Sequence, residues 1–187
     1  MCNKKVFNFE EIKKIIIENQ YGIIGIDGDD GAGKTELAKK IVSKFNLYHH
    51  INLDKYLIKN KGRYFKEIKF NDLKREIYKL KKERKKLIIE GVLLLKILKK
   101  IKIKPDILIY AFRKQYDFDN YFFEQEKFKQ IPLKEEIKIR EEEMKKLKIV
   151  NKDYKIKGLD KELITYKKQF NPVGKADLIY IKEMNNF

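Results

Sequence analysis

The chain has 187 residues, 43% hydrophobic and 39% charged, with a formal net charge of +17. That length and apolar content suit one globular domain with a proper core. The lone cysteine, Cys2, excludes a disulfide within the chain, and no apolar run approaches the roughly 20 residues needed to cross a bilayer.

The opening, Met1-Cys2-Asn3-Lys4-Lys5, lacks an apolar leader core, so Cys2 is not read as a lipid anchor and the expected location is the cytosol, with no membrane partner. The basic residues are nearly all Lys, with Arg only at 63, 75, 84, 113 and 140. They run through the whole chain. This dispersed excess reads as solvated surface first and as a nucleic-acid patch second.

The predicted elements alternate. Phe9, Ile12, Ile15 and Ile16 make one face of a helix over Phe9–Asn19, and the apolar run that follows predicts a strand over Ile23–Asp27. After a glycine-rich turn, Leu37, Ala38, Ile41, Val42 and Phe45 predict a helix ending near Asn46, then a strand over Tyr48–Leu53. A polar stretch runs through Gly62. Asn71 and Asp72 are candidate caps of a helix whose apolar face is Leu73, Ile77 and Leu80. Leu87–Ile89 predicts a third strand, Val92–Ile101 a helix, and Ile107–Ala111, opened by Pro105 and Asp106, a fourth strand. Lys114–Thr165 reads as a charged helical excursion, and Leu178–Ile181 as a fifth strand. Short apolar strands alternating with helices predict an α/β fold, a five-stranded parallel sheet with helices on both faces. Ligands of such sheets sit at the carboxyl ends of the strands.

The turn Gly28-Asp29-Asp30-Gly31-Ala32-Gly33-Lys34-Thr35 fits G-x-x-x-x-G-K-[ST], in the strand–loop–helix context that the motif requires. Its glycines permit close backbone approach, and its N–H groups with the following helix N-terminus make an anion nest. Residues 28–35 are therefore the predicted ATP phosphate site. Lys34 serves the β- and γ-phosphates, and the Thr35 hydroxyl serves Mg²⁺, which takes hard oxygen ligands. The predicted class is the three-layer P-loop nucleoside-triphosphate hydrolase fold, a single domain over 1–187 with core 20–113 and 166–187 and a helical lid over 114–165. No Asn-Lys-x-Asp guanine-reading motif is present, which argues against a GTPase switch.

Two carboxylates follow strands at the ligand edge: Asp54 in Asn52-Leu53-Asp54-Lys55-Tyr56 and Glu90 in Ile88-Ile89-Glu90-Gly91. One can accept a proton from an attacking hydroxyl and the other can hold the Mg²⁺ shell, which suffices for phosphoryl transfer. His49 and His50 have no Cys or His cluster beside them and are read as strand-edge residues. Tyr116, Phe118, Tyr121, Phe122, Phe123 and Phe128 are read as lid core, with a base-stacking platform as the alternative.

The order Ile23-Ile24-Gly25-Ile26-Asp27-Gly28, the phosphate loop, Leu53-Asp54-Lys55-Tyr56 and Ile89-Glu90-Gly91 resembles the uridine kinase and phosphoribulokinase group of P-loop kinases, over Ile23–Glu90 and more weakly over Asn171–Ile181. The resemblance implies ATP and Mg²⁺ as cofactors and a small-molecule hydroxyl acceptor. It implies Asp54 as the base that also faces the metal, Glu90 as metal support, and Tyr56 beside the acceptor. It places Pro172, in the loop Asn171–Lys175, along the adenine. Lid arginines of that group clamp the transferring phosphoryl, and here Arg113 and Arg140 are the candidates. The loop also resembles that of thymidylate kinases, in which the Asp30 position faces an acceptor nucleotide, but no Arg-Glu-Pro or Asp-Arg-Tyr follows. A nucleic-acid-associated P-loop ATPase or kinase is the other alternative, so nucleic acid stands as a less favoured partner.

Overall fold

Ile23–Gly28 is buried along its whole length, as a central parallel strand must be when helices cover both faces of its sheet. The computed structural model describes residues 6–58 and 63–182, so Cys2 and Gly62 lie outside the described residues. In chain order the elements are β1 (Val6–Phe7), α1 (Phe9–Asn19), β2 (Ile23–Gly28), α2 (Lys34–Lys44), β3 (Tyr48–Asn52), α3 (Phe70–Lys82), β4 (Lys86–Glu90), α4 (Leu94–Ile101), β5 (Ile107–Phe112), α5 (Gln115–Phe128), α6 (Leu133–Lys146), α7 (Gly158–Phe170), α8 (Pro172–Lys175) and β6 (Leu178–Ile181). The sheet order is β1-β6-β5-β2-β4-β3, with every pairing parallel.

The sheet has six strands where five were expected. The extra one is β1, whose Val6 and Phe7 register with Ile179 and Tyr180 of β6. Two residues are too short to carry a periodicity, so only the neighbouring strand makes them one. Two helix starts also differ. The N-cap of α3 is Lys69, with no side-chain cap, so Asn71 and Asp72 lie within its first turn. α4 begins at Leu94 because Leu93, at φ 57°, turns the chain first.

Alternate residues of the strands feed two apolar layers. Ile12, Ile16, Leu37 and Ile41 of α1 and α2 close over Ile24, Ile26 and Ile88 on one face. Leu73, Ile77, Ile97 and Leu98 of α3 and α4 close over Ile51, Leu87 and Ile89 on the other, where Tyr166 of α7 joins them. At roughly 2 kcal/mol for each buried aliphatic side chain, these layers are what hold the edge loops in place. Lys114–Thr165 does form helices, and α7 carries on to Phe170, across the expected core boundary at 166. Among the described residues no helix is long and apolar enough to cross a membrane.

Candidate functional site: the carboxyl edge of β2, β3 and β4

β2 ends at Gly28 and α2 begins at Lys34, so residues 29–33 form a tight connection at the sheet edge. Gly33, at φ 84°, is the N-cap of α2, and the helix N–H groups open onto the loop. Gly28 has φ 151°, and a Cβ there would lie 2.5 Å from the carbonyl oxygen of Ala111. Ala32 N–H closes on the Asp29 carbonyl at 3.2 Å, and the Asp30 carboxylate accepts from Gly31 N–H at 3.0 Å. Lys34, almost fully buried, donates to the Asp29 carbonyl at 2.6 Å, so its ammonium is curled over the loop.

Parallel register puts Glu90 of β4 opposite Ile26 of β2 and Asn52 of β3. Buried Glu90 accepts through one oxygen, Oε1, from the Thr35 hydroxyl at 2.9 Å, and His50 Nε2 lies 3.1 Å from the same atom. His50 is therefore a partner of the site, which the sequence reading missed; its only signal was the period of two along β3. His49 points to Glu76 instead, at 3.7 Å. Thr35 and Glu90 offer two hard oxygens side by side. That suits Mg²⁺, which takes one or two protein oxygens and fills its remaining positions with phosphate and water.

Asp54 sits in a short 3-10 turn, Leu53–Tyr56. Asn52 caps that turn, accepting from Asp54 N–H at 2.7 Å, which leaves the Asp54 carboxylate free of capping. A clasp follows: Leu57 bridges Ile68, and Lys69 N–H returns to the Tyr56 carbonyl. It brings Tyr64 back, and the Tyr64 hydroxyl donates to Asp54 at 2.6 Å. Burial and this carboxylate push the Tyr64 hydroxyl's pKa up, so it remains a donor. Gly31, Lys34, Thr35, Asp54, Tyr64 and Glu90 line one cavity of about 500 Å³, walled also by Leu159 of α7. Tyr56 is not on that wall. Its hydroxyl donates to Glu76 of α3, and Tyr64 lines the cavity instead.

A second cavity, about 280 Å³, opens on the other side of the loop between Asp29, Asp30, Arg113 and Tyr121. Arg113 is exposed, 3.7 Å from Asp117. Arg140 is not at the phosphate loop. It is held by Glu124 at 3.0 Å and Glu136 at 3.1 Å and stacks on Phe128, so its charge is neutralised inside the helical excursion. Phe118, Tyr121 and Phe128 are buried there, while Tyr116 and Phe123 are exposed, so only part of the aromatic cluster is core. Pro172 is buried at the first turn of α8, whose cap Asn171 accepts from Gly174 N–H at 3.0 Å.

A cation of α7 does reach the loop: Lys167, just past the expected lid boundary, donates to Asp29 at 2.6 Å. Its neighbour Tyr166 donates to the buried carboxylate of Asp27, which also accepts from Gly28 N–H at 2.8 Å. Burial pushes the pKa of Asp27 up to about 7 against these two hydrogen bonds. A carboxylate inside an otherwise apolar strand was the one sequence signal for this pair.

No protein-family model matches the chain, and no curated protein matches it. Among solved structures, a possible uridine kinase from Bacillus stearothermophilus is similar over 92% of this chain and 96% of that one, at 13% identity and a TM-score of 0.51. At that identity the likeness is one of fold alone: a parallel sheet with helices on both faces.

Proposed function

We propose that this protein is an ATP-dependent kinase that transfers the γ-phosphoryl group to a hydroxyl of a nucleoside-like small molecule. The observation that carries the reading is one cavity wall on which a phosphate loop, the Thr35–Glu90 pair and the Asp54 carboxylate meet. Phosphoryl transfer needs positioning and charge neutralisation more than covalent help, and this wall offers both.

Each group has a separate task. The loop N–H groups and the Lys34 ammonium bind the phosphates. Thr35 and Glu90 would hold Mg²⁺, which when bound neutralises charge on the phosphate oxygens. Asp54 accepts the proton of the acceptor hydroxyl as that oxygen bonds to the γ-phosphorus and the bond to the β-phosphate oxygen breaks. Tyr64, donating to Asp54, holds the carboxylate toward the cavity. Leu159 of α7, on the same wall, adds an apolar surface that would limit water at the reacting centre.

The test is a transfer screen with ATP and Mg²⁺ over nucleosides, nucleotides, sugars and vitamin precursors. Given a substrate, Asp54→Asn should bind ATP within about twofold of wild type and lose at least about a hundredfold in turnover, the usual range for a lost general base. Undiminished turnover by Asp54→Asn would falsify the role of Asp54. No transfer to any acceptor class would overturn the kinase reading.

A further inference from the structure

The net charge is not spread evenly once the chain is folded. Residues 79–86 and 99–104 together hold ten cations and one carboxylate, Glu83, so these 14 residues supply nine of the seventeen net positive charges. The first segment ends α3 and enters β4; the second ends α4 and leads toward β5. Helices that connect parallel strands run antiparallel to them, so both segments lie at the amino edge of the sheet. β4 and β5 flank β2, which sets the two clusters about 10 Å apart. Lys86 joins them to the β2 entry by donating to the Gln20 carbonyl at 3.0 Å. The phosphate loop lies at the opposite edge, roughly 20 Å away along β2.

Helix dipoles account for only part of this. A cation in the last turn of a helix is favourable, but the effect dies within that turn. Arg84, Lys85, Lys102 and Lys104 lie beyond the helices, are exposed, and have no ion pair among the described residues. The nearest acid at the start of β5, Asp106, is turned inward to accept from Gly22 and Ile23 N–H at 2.8 Å. Ten cations converging on one edge repel one another, and an external polyanion relieves that cost. By contrast the helical excursion interleaves Lys with Glu and pairs many of them, as in Lys127–Glu143 and Lys155–Glu141.

We propose that this amino-edge rim is a nucleic-acid binding surface that reads the phosphate backbone without sequence preference. The apolar residues inside the two segments, Leu80, Ile101 and Ile103, are 7%, 3% and 8% exposed and pack into the core. The segments therefore present charge with no apolar side chain to insert, which suits a phosphate backbone better than a lipid interface. The surface is separate from the cavity beside Thr35, so it stands or falls independently of the kinase reading.

The experiment is fluorescence anisotropy of the full chain with labelled 20-mer single-stranded and duplex oligonucleotides over a salt series. It compares Lys81→Gln/Lys82→Gln/Lys85→Gln/Lys100→Gln with a charge-matched control in the excursion, Lys134→Gln/Lys138→Gln/Lys146→Gln/Lys148→Gln. All eight positions are exposed, and thermal melts check that both variants fold as wild type does. Wild type and control should show the same steep fall of affinity with salt, and the rim variant should lose about 3 to 4 units of that slope. Equal losses in both variants, no oligonucleotide binding at low salt, or binding to anionic phospholipid vesicles but not to oligonucleotides would overturn the proposal.

Discussion

Lys167 Nζ, on α7, lies 2.6 Å from Asp29 Oδ2 in the phosphate loop, and the preceding residue, Tyr166, donates to Asp27. Two consecutive residues of one helix thus hold the two carboxylates that enter and begin the loop. The Lys167–Asp29 pair is part-buried, so its loss should cost less than about 1 kcal/mol of stability. Under the proposed function its electrostatic effect on ligands should be larger, because Lys167 neutralises Asp29 beside the loop proposed to hold the phosphates. Lys167→Met should weaken ATP binding about tenfold and AMP binding less, with ADP between, by calorimetry. Equal losses for all three nucleotides would show that Lys167 only supports the helix.

Burial raises Asp27 to about 7, well above its ordinary 3.8. The folded protein therefore holds this proton to higher pH than the unfolded chain does. The resulting contribution to stability is full below about pH 4, shrinks as pH rises, and is gone above about pH 7. Asp27→Asn removes this slope. Its unfolding free energy relative to wild type should rise by up to about 1.4 kcal/mol for each pH unit between 5 and 7. Urea denaturation at a series of pH values measures it, and parallel profiles would contradict the assignment.

Gly28 and Gly31 both have positive φ, but their surroundings differ. A Cβ on Gly28 would strike the Ala111 carbonyl at 2.5 Å, while one on Gly31 would meet nothing within 4 Å. Gly28→Ala should destabilise by about 2–4 kcal/mol, combining backbone strain with a clash between strands β2 and β5. Gly31→Ala should cost only about 1 kcal/mol, the strain of its left-handed backbone. Denaturant midpoints compare the two, and equal costs would refute the distinction.

His50 and Thr35 both engage Glu90 Oε1. Removing the imidazole should let Glu90 turn away from the proposed metal position. His50→Ala should weaken ATP binding roughly tenfold or more in Mg²⁺, the usual cost of losing an outer partner of a metal site. Affinity in EDTA should stay unchanged, and His50→Asn should recover part of the loss. Calorimetry in both buffers decides; a loss of the same size in EDTA would mean that the imidazole supports the loop rather than the metal position.

The parts of this site that were legible in the chain are those encoded locally. The phosphate loop is a contiguous spacing, and its glycines, lysine and threonine each answer a short-range need. Asp54 and Glu90 were legible as candidates because both lie at the carboxyl end of a strand, Glu90 as the last residue of β4 and Asp54 two residues past β3. Tyr64 and His50 were not, since their partners lie across the clasp and across the sheet. Tyr56 was expected at the acceptor by resemblance, yet the 3-10 turn sends its hydroxyl to Glu76. Arg140 carried the right charge, but Glu124 and Glu136 hold it inside the excursion.

The sequence by itself determined the alternation of strands and helices and the glycine-rich turn between β2 and α2, because periodicity and turn chemistry act over a few residues. Only the tertiary structure decided the sixth strand, the Lys167 and Tyr166 contacts 138 and 139 residues from their partners, and the gathering of dispersed lysines on one edge. The physical reason is that parallel strands need long crossovers, so neighbours in the sheet are far apart in the chain. Which residues meet at each edge follows from the register that burial of both faces selects.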